Sequence, residues 1–183
     1  MRTIWILLLI PFFVNAQIQL KDGGGTVKVN GETRHVGFKY KVGEKYPEIN
    51  GTTVFGETIS SKNLKDSILV FNCWFSTCTP CMFEIPGLVK LQEKYKNKEV
   101  AFWAVSSDDS STIRKIVSKT SFNYKQLSYP RELLYQYYQP FGFPSSFIIK
   151  KGVIVFETSG GYSSEKAADE IYKKLDEELI KNL

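Results

Sequence analysis

The spacing of apolar residues changes along the chain, and each change marks an element. Ile68-Leu69-Val70-Phe71-Asn72-Cys73-Trp74-Phe75 is apolar at nearly every position and short, the pattern of a buried strand. A helix follows over about 79–96, and Val100–Ser106 reads as a second strand. Ser110–Thr120 is helical, with Ile113, Ile116 and Val117 on one stripe, and Leu133–Tyr138 predicts a short helix. Ser146–Ile149 and Val153–Phe156 are short strands joined through Lys150-Lys151-Gly152, a hairpin pattern. In the last helix Ala168, Ile171, Tyr172, Leu175 and Leu179 keep helical spacing, with Ser163 or Ser164 as the cap. The order βαβα then ββα predicts an α/β domain: a mixed central sheet with helices on both faces.

Upstream the pattern differs. Arg2 followed by apolar Ile4–Val14 and the small residue Ala16 reads as a targeting segment over 1–16, too short to span a bilayer of roughly 30 Å. The expectation is an exported chain, periplasmic or extracytoplasmic, freed by cleavage or tethered by the uncleaved segment, in a compartment where disulfides form. Residues 17–41 predict a β-hairpin extension, because Asn30-Gly31 sits between Thr26–Val29 and Thr33–Val36 and both turn residues tolerate positive φ. The main domain is then 42–183.

Composition narrows the classes. With 183 residues, 43% hydrophobic, the chain can bury a core. The net charge of +5 comes from lysines scattered among acids, as in Glu93–Glu99, with no basic stripe interleaved with aromatics, so no nucleic-acid partner is expected.

The chemistry gathers at Cys78-Thr79-Pro80-Cys81, where the buried strand meets the helix. Two thiols at this spacing can close a reversible disulfide, and unpaired N–H groups at a helix N-terminus stabilise the Cys78 thiolate. Cys78 is the expected nucleophile and Cys81, one turn on, the resolving thiol. Pro80 suits the first helical turn, where its missing N–H costs nothing. The competing reading is half a zinc site, but only Cys73 and His35 remain as ligands, so no metal and no cofactor beyond the redox disulfide is expected. Cys73, inside the strand, reads as a small buried hydrophobe. Glu84, three residues past Cys81, can exchange the resolving thiol's proton or, alternatively, serve the helix dipole. Asn72 interrupts the apolar run and needs buried partners. The Phe143–Pro144 bond precedes a strand and can be cis.

Together these pieces resemble the thioredoxin superfamily, specifically its TlpA-like/ResA-like exported thiol–disulfide oxidoreductases. The matching residues are Phe71–Phe75, Cys78–Cys81, Glu84-Ile85-Pro86, Tyr138–Ile149, Lys151–Ile154 and Gly160-Gly161, in register from about residue 42 to the end. The resemblance implies a thioredoxin-like three-layer sandwich, a cis Pro144 beside the cysteines, a kink at Pro86 and a functional Glu84. It makes Cys78, Cys81, Glu84 and Pro144 the catalytic candidates, and Trp74, Thr79, Pro80 and Phe143 the substrate-contacting ones. Asn72 falls where thioredoxin carries a buried acid. Two positions depart from the pattern: Thr77 replaces the aromatic that many relatives place before the first cysteine, and Phe143 is bulkier than the usual residue before the proline.

The expected activity is thiol–disulfide exchange, run as a reductase because Thr79-Pro80 lacks the His of strongly oxidising relatives. The expected partners are exported protein disulfides and a membrane electron donor, with apocytochrome cysteines one family possibility. A peroxiredoxin-like peroxidase is disfavoured because Phe75 occupies the place of that family's threonine. A copper-delivery role does not fit the cysteine spacing, and a non-catalytic binding or chaperone domain would not need the intact cysteine pair.

Overall fold

A computed structural model describes residues 17–21, 24–29, 32–37, 40–64, 67–137 and 142–183. The expected targeting segment 1–16 and the Asn30-Gly31 turn lie outside the described residues. The chain divides into two units, Met1–Gly37 and Phe38–Leu183.

In the first unit, β1 (Gln17–Lys21), β2 (Gly24–Val29) and β3 (Glu32–Gly37) form an antiparallel sheet in chain order. Val29 pairs with Glu32, as an Asn-Gly hairpin requires. Where the pattern indicated a two-stranded hairpin, β1 adds a third strand. Gln17-Ile18-Gln19-Leu20-Lys21 has the period of two that strands need, and Ile18 pairs with Val27.

The second unit opens with a small hairpin, β4 (Asn50–Thr52) and β5 (Thr58–Ser60), and a 3₁₀ turn over Ser61–Asn63. The main chain path then runs β6 (Ile68–Trp74), α1 (Thr79–Tyr95), β7 (Val100–Ser106), α2 (Ser110–Thr120), β8 (Lys125–Ser128), α3 (Arg131–Tyr137), β9 (Ser145–Lys150), β10 (Val153–Ser159) and α4 (Lys166–Asn182). The five-stranded sheet has the order β10-β9-β6-β7-β8. β6 pairs parallel with β7 and antiparallel with β9, so the sheet is mixed, as expected.

β6 lies at the centre, and all seven of its residues are buried. Alternation along it splits the core in two. Ile68, Val70 and Trp74 pack with Ile85, Leu88 and Leu91 of α1, Ile113 of α2 and Ile171, Leu175 and Leu179 of α4. Leu69, Phe71 and Cys73 pack on the other face with Tyr46, Ile49, Leu134 of α3 and Phe147. The result is the expected three-layer sandwich.

Two local expectations change. β8 was not anticipated, because it is only four residues long and has a single apolar residue, Leu127, buried beside the polar Gln126. That amide is satisfied by accepting from the Trp74 indole at 3.1 Å and donating to the Phe122 carbonyl at 3.1 Å. Neither Ser163 nor Ser164 caps α4. Glu165 occupies the cap position with no side-chain bond, and Ser164 contributes only its carbonyl, which accepts the Ala167 N–H at 3.0 Å.

α1 and α4 touch closely at Gly87. A Cβ built there would stand 2.0 Å from the Ala168 carbonyl oxygen, a backbone atom that cannot move independently of its helix. Gly87→Ala is therefore expected to destabilise the fold by about 1–3 kcal/mol. Calorimetry should show Tm lowered by roughly 3–10 °C; an unchanged Tm would mean the two helices separate freely.

Candidate active site

β6 reaches α1 through a tight loop, Phe75–Cys78. The Cys78 N–H donates to the Phe75 carbonyl at 3.1 Å, and the Ser76 N–H donates to an Asp108 carboxylate oxygen at 2.6 Å. Cys78 is the N-cap of α1, extended at φ −83° and ψ 99°, and its Sγ accepts the Cys81 N–H at 3.3 Å. The sulfur thus sits on the unpaired donors of the helix, where negative charge is most favoured.

Cys78 and Cys81 form a disulfide and are 6% and 2% exposed. Around them Thr77 and Thr79 are exposed and Pro80 is half-buried. Pro80 stands in the first turn of α1. Pro86 lies inside the same helix, where it removes the N–H that would bond the Met82 carbonyl.

Glu84 is buried on α1, 3% exposed. Burial pushes its carboxyl up to about 8, against a smaller opposing pull from Lys174. No described residue hydrogen-bonds its Oε2. Gly161 closes over it: a Cβ there would stand 2.7 Å from Glu84 Oε1 and 3.4 Å from Pro144 Cγ, so the missing side chain lets Glu84 and Pro144 flank one backbone segment. A cavity of about 280 Å³ opens beside Glu84, lined among others by Thr158, Gly161, Tyr162, Glu170 and Lys174. Another of about 270 Å³ lies by Leu69 and Ile149, at the end of the sheet away from the cysteines.

The Phe143–Pro144 peptide is cis. The Pro144 carbonyl accepts the Gly160 N–H at 2.8 Å and the Ser159 hydroxyl at 3.3 Å, and the Ser145 hydroxyl donates to Gly142 O at 2.7 Å. Asn72 ties β6 to this strand, its amide donating to Ser146 Oγ at 2.9 Å and to the Ser145 carbonyl at 3.4 Å. Phe143 stacks edge-on against Phe75 at 5.0 Å and Tyr135 at 5.8 Å, and the Arg131 guanidinium lies 5.5 Å and 5.7 Å from the Phe75 and Tyr135 ring centres. These rings supply an aromatic wall although residue 77 is a threonine.

Trp74 requires a correction. It is 1% exposed, packs on Phe122, and spends its indole N–H on Gln126, so it supports the site from beneath and offers a substrate no surface. Asp108, Gln126, Tyr135 and Arg131 went unremarked in the sequence. Asp108 and Arg131 are ordinary polar residues after a strand and at a short helix's start, and only the fold brings them to the Cys78 loop. Cys73 is fully buried, and burial drives its thiol far above the usual range. Among the described residues no cluster of three or more His, Cys, Asp or Glu could hold a metal, and no helix is long and apolar enough to cross a membrane.

Residues 42–157 match the model of the AhpC/TSA family. The thiol-disulfide oxidoreductase ResA of Bacillus thuringiensis subsp. konkukian is 27% identical over 142 residues, covering 75% of this chain and 80% of that protein. Among solved structures, the thioredoxin domain of a thiol-disulfide oxidoreductase from Bacteroides vulgatus superposes with a TM-score of 0.64 at 22% identity, covering 76% of this chain and 98% of that one. A thioredoxin-family thiol:disulfide interchange protein from Chlorobium tepidum gives a TM-score of 0.60 at 23% identity, covering 73% and 97%.

Proposed function

The chain belongs to the AhpC/TSA family and is a thioredoxin-fold thiol–disulfide oxidoreductase, and from that premise we propose that it is an exported reductase of protein disulfides. The observation that carries this reading is the Cys78–Cys81 disulfide at the mouth of α1, with Glu84 and the cis Pro144 on either side of Gly161.

In this mechanism the reduced enzyme presents the Cys78 thiolate at the helix N-terminus. It attacks one sulfur of a client disulfide. The client's other sulfur leaves as a thiolate and takes a proton, and a Cys78–client mixed disulfide forms. Cys81 gives its proton to the Glu84 carboxylate and attacks Cys78 Sγ. The Cys78–Cys81 disulfide closes, and the client's second sulfur departs, reprotonated by Glu84. Two electrons pass to the client, and the enzyme disulfide is then reduced by a membrane thiol donor. Phe143, Thr79 and Pro80 border the path of the client chain, and no cofactor beyond the disulfide takes part. Export rests on the composition of Met1–Ala16, and apocytochrome cysteines are one client class consistent with the chemistry.

The purified protein should equilibrate reversibly with glutathione, read by Trp fluorescence and thiol trapping. A midpoint below about −230 mV supports the reductase direction, whereas one near −120 to −180 mV reverses it to oxidase or isomerase. Without any two-thiol transition the exchange mechanism itself fails and a binding role takes its place. Rapid consumption of hydrogen peroxide would instead point to the peroxidase chemistry of the same family.

A further inference from the structure

Asp108 follows β7 and belongs to none of the elements that carry the cysteines, yet its half-buried carboxylate reaches the Cys78 loop. Its Oδ2 accepts the Ser76 N–H at 2.6 Å and the Ser106 hydroxyl at 3.1 Å. Its own N–H donates to Ser106 Oγ at 3.1 Å, and its carbonyl accepts the Ser128 hydroxyl at 2.7 Å. Side chain and backbone are therefore both anchored, to the ends of β7 and β8. The neighbouring Asp109 has a separate task, capping α2 through the Ser111 and Thr112 N–H groups at 2.8 Å and 3.0 Å.

We propose that Asp108 is a positioning residue for disulfide exchange: by holding the Ser76 N–H it fixes the loop that keeps Cys78 at the N-cap of α1. This rests on the exchange mechanism above. The helix terminus stabilises a thiolate only within its first turn, so a loop free to drift would lose that stabilisation. The negative charge of Asp108 works in the opposite direction, since a carboxylate near a thiolate disfavours it. The benefit is geometric, and a neutral acceptor of the same shape supplies it. The other charged groups near the loop, Glu84 on α1 and Arg131 on α3, stay unchanged in the test.

In a Cys81→Ser background, the pH dependence of Cys78 alkylation by iodoacetamide reports thiolate directly. It needs neither client nor turnover, so it stands even where the reductase reading fails. Asp108→Ala should raise the midpoint by about one pH unit, roughly tenfold less thiolate at a fixed pH below it. Asp108→Asn keeps an acceptor and should return reactivity to within about twofold. An unmoved midpoint in the alanine variant, or an asparagine variant as impaired as alanine, overturns the proposal. Hydrogen exchange at the Ser76 amide of the unmodified protein decides the same point without any variant: protection is expected, and free exchange overturns it.

Discussion

Cys78→Ser lowers disulfide-reducing turnover by about 10³-fold or more, because the attacking thiolate is the one group whose removal leaves no route to the mixed disulfide. Cys81→Ser gives a different outcome. The first attack still occurs, but nothing resolves the intermediate, so a covalent enzyme–client species accumulates and can be isolated on a non-reducing gel. The asymmetry follows from placement: Cys78 caps α1 and is the more exposed of the two, whereas Cys81 is 2% exposed and attacks only Cys78 Sγ, once that sulfur is bound to the client. Turnover surviving in Cys78→Ser, or trapping by Cys78→Ser in place of Cys81→Ser, would exchange the two roles.

Glu84→Gln should slow resolution by about 10²-fold and remove the limb of the pH–rate profile near pH 8. Only the carboxylate can accept the Cys81 proton, so wild-type resolution rises as pH climbs through that value. The same group shapes stability. Its folded carboxyl, at about 8, lies above an ordinary glutamate near 4.5, so between these values the folded state holds a proton that the unfolded chain has released. Stability is therefore highest below pH 4.5 as far as Glu84 is concerned, and declines as pH rises to about 8. The shift corresponds to on the order of 4–5 kcal/mol, and Glu84→Gln should flatten that slope in urea titrations at pH 5, 7 and 9. A wild-type stability that does not fall across this range would place the carboxylate in a wetter setting than its burial describes.

Much of this was legible before any coordinates. β6, α1, β7 and α2 each carry a long unbroken period, and the cysteine pair sits at a strand-to-helix seam, so sequence spacing alone placed Cys78 on the helix terminus. The place of Glu84 on α1, about one turn past Cys81, was readable from spacing, whereas a role in exchange came only from the family resemblance. What stayed hidden was polar and non-local. β8 buries Gln126, whose partners Trp74 and Phe122 come from other segments. Asp108 meets Ser76 only after β7 has paired with β6. Trp74 belonged to the motif, yet the alternation of β6 turns it inward beneath α1, and α4 begins without the serine cap its sequence offered.

β6 also separates two kinds of sulfur. Cys73 faces the α3 side of the sheet, and Cys78 and Cys81 belong to the α1 side. An odd number of cysteines invites scrambling, in which a stray thiol captures the working disulfide. Here a layer of hydrogen-bonded backbone insulates the third sulfur, and its high proton affinity keeps it unreactive. The molecule carries three cysteine sulfurs but confines exchange to two of them, a closed circuit from which the third is walled off.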